Sequence, residues 1–121
     1  MLQKQYRLKR YSTFNATYKL KNTVVDSNLC IYFGKEKTTE DIPTKIAFVV
    51  SKKIHKRAVV RNRIKRLMRE SFRLILRNNE QPQIHKYISI ICVARYNSVG
   101  KDYNTINNSL NNLLKKHGWY I

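Results

Sequence analysis

At 121 residues, 42% of them hydrophobic, the chain has material for one domain with a modest core. Twenty-five Lys and Arg against seven Asp and Glu give a net charge of +18, a self-repulsion that a polyanion relieves on binding, so nucleic acid is the first expected partner and an anionic membrane the second. No apolar run approaches the ~18 residues of a membrane span, and the start MLQKQYRLKRY lacks the apolar stretch of a signal peptide; a soluble, intracellular protein with no membrane role is expected.

Residues 1–6 read as a short flexible N-terminus. Ser12 is the expected cap of a first helix running to about Leu20, in which Phe14 and Tyr18 sit four apart on one face. Periodicity alone fits a pair that merely packs the helix onto a sheet as well as a pair that stays partly exposed. Thr23 to Val25, a polar Asp26-Ser27-Asn28 turn and Leu29 to Phe33 read as a hairpin rich in β-branched and aromatic residues. Gly34 to Pro43 reads as a loop, and three of the seven acids, Glu36, Glu40 and Asp41, place it in solvent away from the polyanion. Lys45 to Ser51 has the near-continuous apolar pattern of a buried strand and empties into Lys52, Lys53, Lys56 and Arg57.

The segment Arg57 to Arg77, RAVVRNRIKRLMRESFRLILR, carries eight cations and a single acid, Glu70, on a helical pattern. At roughly 100° per residue, Val60, Ile64, Leu67, Met68, Ser71, Leu74 and Ile75 form a core-facing arc, while Arg61, Asn62, Lys65, Arg66, Arg69, Arg73 and Arg77 form the opposite one. Helix stability favours interspersed acid and base pairs, so a face this uncompensated points to a polyanion. Asn78 to Lys86 reads as a loop containing Pro82, followed by a strand at Tyr87 to Ala94 that ends in Arg95. A last helix starts near Asp102, buries Ile106, Leu110, Leu113 and Leu114, and ends at Gly118; its NNSLNN stretch, residues 107–112, is a poor helix former, so the helix rests on packing. Trp119-Tyr120-Ile121 either caps the core or offers an apolar contact.

Cys30 and Cys92 lie in apolar strand-like runs without CxxC spacing or a neighbouring His, and are expected to be reduced core thiols; the three His are scattered, so no metal site held by the protein and no catalytic triad is expected. The order is α-β-β-β-α-β-α, a single-domain α+β sandwich over residues 1–121 in which helices cover a four-stranded sheet and the basic helix connects the third and fourth strands.

The run Ser51-Lys52-Lys53, Arg57-Ala58, Arg61-Asn62-Arg63-Ile64-Lys65-Arg66-Leu67, Arg69-Glu70 and Phe72-Arg73 resembles the signature of the bacterial ribonuclease P protein component. Arg7-Leu8-Lys9, Phe14, Tyr18, Tyr32 and Ala94-Arg95 stand where that family has similar pieces, and the resemblance covers roughly residues 7 to 117. The segment Ile54-His55-Lys56 departs from it, where related chains vary in length and often carry Gly.

The resemblance implies a small basic subunit in the bacterial cytoplasm, joined to a large catalytic RNA that removes the 5′ leader of precursor tRNA with magnesium held mainly by the RNA. It implies no catalytic residue in the protein, no obligate protein partner, and a left-handed crossover through the basic helix, against the usual hand. Arg61, Asn62, Arg63, Lys65, Arg66, Arg69 and Arg73 are then the residues toward the catalytic RNA, the arginines gripping phosphates through two donors at once. Phe14, Tyr18 and Tyr32 would line the leader's cleft by sequence-tolerant stacking, with Lys52, Lys53, Lys56, Arg57 and Arg95 flanking its backbone. The rival expectations are a structural RNA-binding protein, such as a ribosomal protein or RNA chaperone, and a free-standing nuclease, for which the seven scattered acids offer no paired carboxylates. A DNA-binding helix is weaker still, for want of a dimerisation element.

Overall fold

The computed structural model describes residues 6–8, 10–39, 42–78 and 80–118, with side chains as far as residue 116. The elements are α1 (Tyr11–Leu20), β1 (Asn22–Val25), β2 (Leu29–Phe33), β3 (Lys45–Val49), α2 (Ala58–Asn78), β4 (Ser89–Ala94) and α3 (Tyr103–Gly118). Short 3-10 turns at Pro82–Lys86 and Tyr96–Ser98 replace the plain loops expected there. The strands form one mixed sheet in the order β1-β2-β4-β3. β1, β2 and β4 run antiparallel, and β3 lies parallel to β4, so α2 is the crossover between two parallel neighbours. At the free edge of β3 the N-terminal segment adds a bridge from Arg7 to Ile46, with Leu8 N–H donating to the Ile46 carbonyl at 2.9 Å.

Strand residues alternate between two faces. Leu29, Ile31 and Phe33 of β2, Ile90 and Cys92 of β4 and Ile46 of β3 meet Ile64, Met68, Phe72 and Ile75 of α2 and Ile106, Leu110, Leu113 and Leu114 of α3 in the main core. Phe72, left off the arc drawn from sequence, is fully buried and meets Phe48 edge-on at 5.9 Å between ring centroids. The helix seats against both β3 and α3, so the covered arc is wider than contact with one partner would give.

The Asn-rich helix is held by more than its leucines. Ser71 Oγ donates to Asn107 Oδ1 at 2.5 Å, Asn111 Nδ2 donates back to the Asn107 carbonyl at 2.9 Å, and Asn28 Nδ2 donates to Ser109 Oγ at 2.7 Å. These bonds satisfy polar groups between α2 and α3 and between the β1–β2 turn and α3, where an unpaired buried one costs about 1–3 kcal/mol. Asp102 accepts from Thr105 N–H at 2.9 Å and caps α3 as expected, which holds its carboxyl below the usual range. Ser12, by contrast, is not the cap of α1: Arg10 occupies that position with no side-chain cap bond, and Ser12 lies inside the helix. Glu40, Asp41 and Trp119-Tyr120-Ile121 lie outside the described residues.

Candidate nucleic-acid interface

The second face of the sheet carries Tyr32 and Cys30 of β2, Ile91 and Val93 of β4, and Ala47 and Val49 of β3. The short α1 covers it together with Leu8 of the N-terminal segment, and Phe14 and Tyr18 pack there with Tyr32, Val49 and Val93 only partly buried. Tyr18 and Tyr32 meet edge-on at 4.8 Å. The three aromatics singled out from sequence therefore share one half-open surface. The register extends it, since Cys30 pairs with Val93 and Val93 with Val49, giving an apolar strip that runs from the tyrosines toward the ends of β4 and β3. Because those strands are parallel, Arg95 after β4 and the Ser51-Lys52-Lys53 turn after β3 lie at the same end of the sheet. Arg95 also closes that end structurally, its guanidinium donating to the Asp26 carbonyl at 2.6 Å.

Cys30 corrects one expectation. It is a half-buried member of this open face rather than a core thiol, whereas Cys92 is fully buried in the main core; both are free. The signal was present in sequence, for Cys30 stands two residues from Tyr32 on the same strand and must share its face. Burial pushes up the Cys30 thiol and the Tyr18 and Tyr32 phenols, with smaller contributions among the three groups. The face consequently stays uncharged at neutral pH, which suits contact with nucleobases beside a charged backbone.

The cationic residues of α2 divide by what they touch. Arg61 turns back on the loop before the helix, donating to the carbonyls of His55 at 2.9 Å and Lys56 at 2.8 Å. Arg63, absent from the cationic arc, points toward α3 and donates to the Lys101 carbonyl at 3.2 Å. Arg73 pairs with Glu70 at 2.6 Å, holding that carboxyl below its ordinary value; both side chains remain solvated, so the pair adds little to stability. Lys65, Arg66 and Arg69 make no side-chain hydrogen bond or ion pair among the described residues, and Asn62 is exposed. Lys52, Lys53, Lys56 and Arg57 are exposed in the loop leading into the helix.

The two constellations meet. At the β3 edge a cavity of about 340 Å³ is lined by Phe14, Ala47 and Leu8 from the aromatic side, by Arg69 from α2 and by Arg7. In the sequence these are separate patches, because nothing in the pattern shows that residue 69 of one helix stands beside residue 14 of another. Among the described residues no group of three or more His, Cys, Asp or Glu is placed to hold a metal ion, and no helix is long and apolar enough to cross a membrane.

Basic side chains without partners among the described residues, beside an uncharged aromatic strip, mark a small basic RNA-binding protein of the α+β class. The profile of the Ribonuclease P family matches residues 2–118. The ribonuclease P protein component of Clostridium kluyveri is 39% identical over 115 residues, covering 95% of this chain and 96% of that protein; that of Oceanobacillus iheyensis is 33% identical over 97% of this chain and 90% of its own length. In three dimensions the Staphylococcus aureus RNase P protein superposes with a TM-score of 0.74 at 31% identity, over 92% of this chain and 94% of that one. The Thermotoga maritima RNase P protein gives 0.72 at 26% identity, over 91% and 96%. The chain belongs to the ribonuclease P protein family.

Proposed function

We propose that the chain is the protein subunit of a bacterial, cytoplasmic ribonuclease P, which seats α2 on the catalytic RNA and receives the single-stranded 5′ leader of precursor tRNA on the open sheet face. The carrying observation is the junction at the β3 edge, where Arg69 of the cationic helix and Phe14 of the aromatic face line one cavity. A strand leaving a tRNA held near α2 would pass from charge to stacking surface without leaving the protein. Lys65, Arg66 and Arg69 are the residues with donors to give to phosphates. Arg61 and Arg63 tie the N-terminal part of α2 to the loop before it and to the Lys101 carbonyl, and reach RNA with the donors left over. Phe14, Tyr18 and Tyr32 supply faces on which any base stacks, as a subunit serving many precursors requires. Lys52, Lys53 and Arg95 then meet the leader's backbone at the far end of the strip.

In this reading phosphodiester hydrolysis, and the magnesium that supports it, belong to the RNA. Among the described residues no group of three or more His, Cys, Asp or Glu is placed to hold that ion. The protein orients the leader and neutralises its phosphates.

The test is cleavage of a precursor tRNA at low magnesium by the cognate RNA alone, by the protein alone and by the two together. Rapid cleavage only in the mixture is expected. Cleavage by the rigorously purified protein alone would overturn the division of labour, and tight RNA binding without any gain in cleavage would return the chain to the structural RNA-binding class.

A further inference from the structure

Helix α1 forms one wall of the open face, yet little within the helix itself supports it. At ten residues it falls short of the ~12–15 at which an isolated helix becomes even marginally stable in water. Its start has no side-chain cap, and its C-cap, Lys21, sits in the left-handed region at φ 54° without being glycine. What holds it must come from the sheet. Thr17 alone among its residues is buried.

Thr17 Oγ1 donates to the Thr13 carbonyl at 2.7 Å and lies 2.6 Å from Ser89 Oγ at the start of β4. A hydroxyl has one proton to donate. That of Thr17 goes to the carbonyl, so Ser89 donates to Thr17, and the chain of bonds runs from the sheet through Thr17 into the helix backbone. Gly34 backs this arrangement, its N–H donating to the Ser89 carbonyl at 2.8 Å. A Cβ at residue 34 would collide with Ser89 Oγ, so only glycine lets β2 close against Ser89 while its hydroxyl faces α1.

On either flank of this bond the helix stands over open space. One cavity of about 340 Å³ lies beside Phe14, and a second of about 340 Å³ lies beside Ala16 and Leu20. The buried Thr17–Ser89 bond, together with the partly buried contacts of Phe14 and Tyr18, holds the helix between these two open spaces. Tyr18, the residue after Thr17, reaches Tyr32.

We propose that Thr17 and Ser89 are positioning residues, whose buried hydroxyl pair sets the seat of α1 and with it the gap between Phe14, Tyr18 and the sheet into which a nucleic-acid strand enters. The inference rests on the reading of the open face as the leader site. Losing the pair lets the helix settle into either cavity, so stacking on the leader weakens while the surface of α2 is untouched.

The experiment uses the holoenzyme reconstituted with its RNA and reads the ratio of precursor to mature tRNA affinity, beside the affinity of each protein for the catalytic RNA. Ser89→Ala and Thr17→Val are each expected to lower the ratio about three- to tenfold, the scale of one net hydrogen bond, with RNA affinity unchanged. Thr17→Ser, which keeps the hydroxyl, is expected to hold the wild-type ratio. Tyr18→Ala tests the site itself. If it lowers the ratio while Ser89→Ala and Thr17→Val do not, the positioning role is overturned and the site stands; if none of the three changes the ratio, the site reading falls and the inference with it. A parallel loss of RNA affinity and ratio would show a general defect and would also overturn the inference. Should Thr17→Val fail to fold, Ser89→Ala carries the test, because Thr17 then keeps its bond to the Thr13 carbonyl.

Discussion

The two faces of one sheet are built from the same strands and are used in opposite ways. Toward α2 and α3, Ile31, Phe33, Ile90 and Cys92 are excluded from solvent to within 1%. Toward α1, Ile91 and Ala47 are buried with Leu8, but Tyr32, Cys30, Val93 and Val49 around them are only partly buried under a helix too short to cover them. Alternation along β2 and β4 makes both faces apolar, so the difference lies not in the strands but in how much helix each face receives. Two long helices close the first face and hold the molecule together. One short helix leaves the second with apolar surface still to be buried, and this is the signature of a binding face in a small protein.

If that division is right, damage to the two faces separates cleanly. The largest effect is expected for Phe72→Ala on the closed face, where truncating a fully buried ring against Phe48 costs about 3–5 kcal/mol. Denaturant unfolding should show a large drop in midpoint, and a loss under about 1 kcal/mol would mean the core is looser than its burial indicates. On the open face, Phe14→Ala or Tyr18→Ala should leave the unfolding midpoint much nearer to wild type. Each should weaken binding of a leader-bearing precursor by about 1–3 kcal/mol while mature tRNA affinity stays unchanged; equal losses for both ligands would remove the leader assignment. A smaller effect sharpens the contrast within α2. Arg66, with no internal bond among the described residues, should on mutation to Ala reduce the salt dependence of RNA binding by about one unit of log-log slope at unchanged stability. Arg61→Ala should lower stability as well, because Arg61 holds the loop carbonyls of His55 and Lys56.

The same contrast explains what was legible in the sequence. The hairpin, the buried strand, the basic helix and the Asp102 cap follow from local period and cap chemistry, and the structure has them within a few residues of their expected limits. Phe14, Tyr18 and Tyr32 were legible as candidates because their spacing puts each on a defined face. Three things were not. The burial of Phe72 depends on α2 touching β3 and α3 together, which no single-helix pattern encodes. The bonds of Arg61 and Arg63 to backbone depend on carbonyls six and thirty-eight residues away, whereas charge density reads all bases alike. The anchoring of α1 depends on a hydroxyl seventy-two residues distant meeting Thr17, and a mid-helix threonine gives no sign of it.

The smallest effect is a chemical one, and it reads both faces at once because each carries one cysteine. Cys30 lies on the open face and Cys92 on the closed one. Burial raises both thiols above the usual value of about 8.5, Cys92 much further than Cys30. The thiolate is the reactive form, so a maleimide or alkyl halide should modify a single cysteine in the folded protein, more slowly than a free thiol. The rate should climb with pH through the neutral range. Cys92 should react only on unfolding. The sign on stability follows: a thiol whose folded value is raised contributes stability that is complete below the unfolded value and is lost as pH rises through the alkaline range. Cys92 should therefore contribute to alkaline unfolding, and Cys92→Ala should flatten that limb. Precursor tRNA bound to the holoenzyme should slow labelling of Cys30, while mature tRNA should not. Equal labelling of the two cysteines in the native protein would mean that the two faces are not, after all, closed to different degrees.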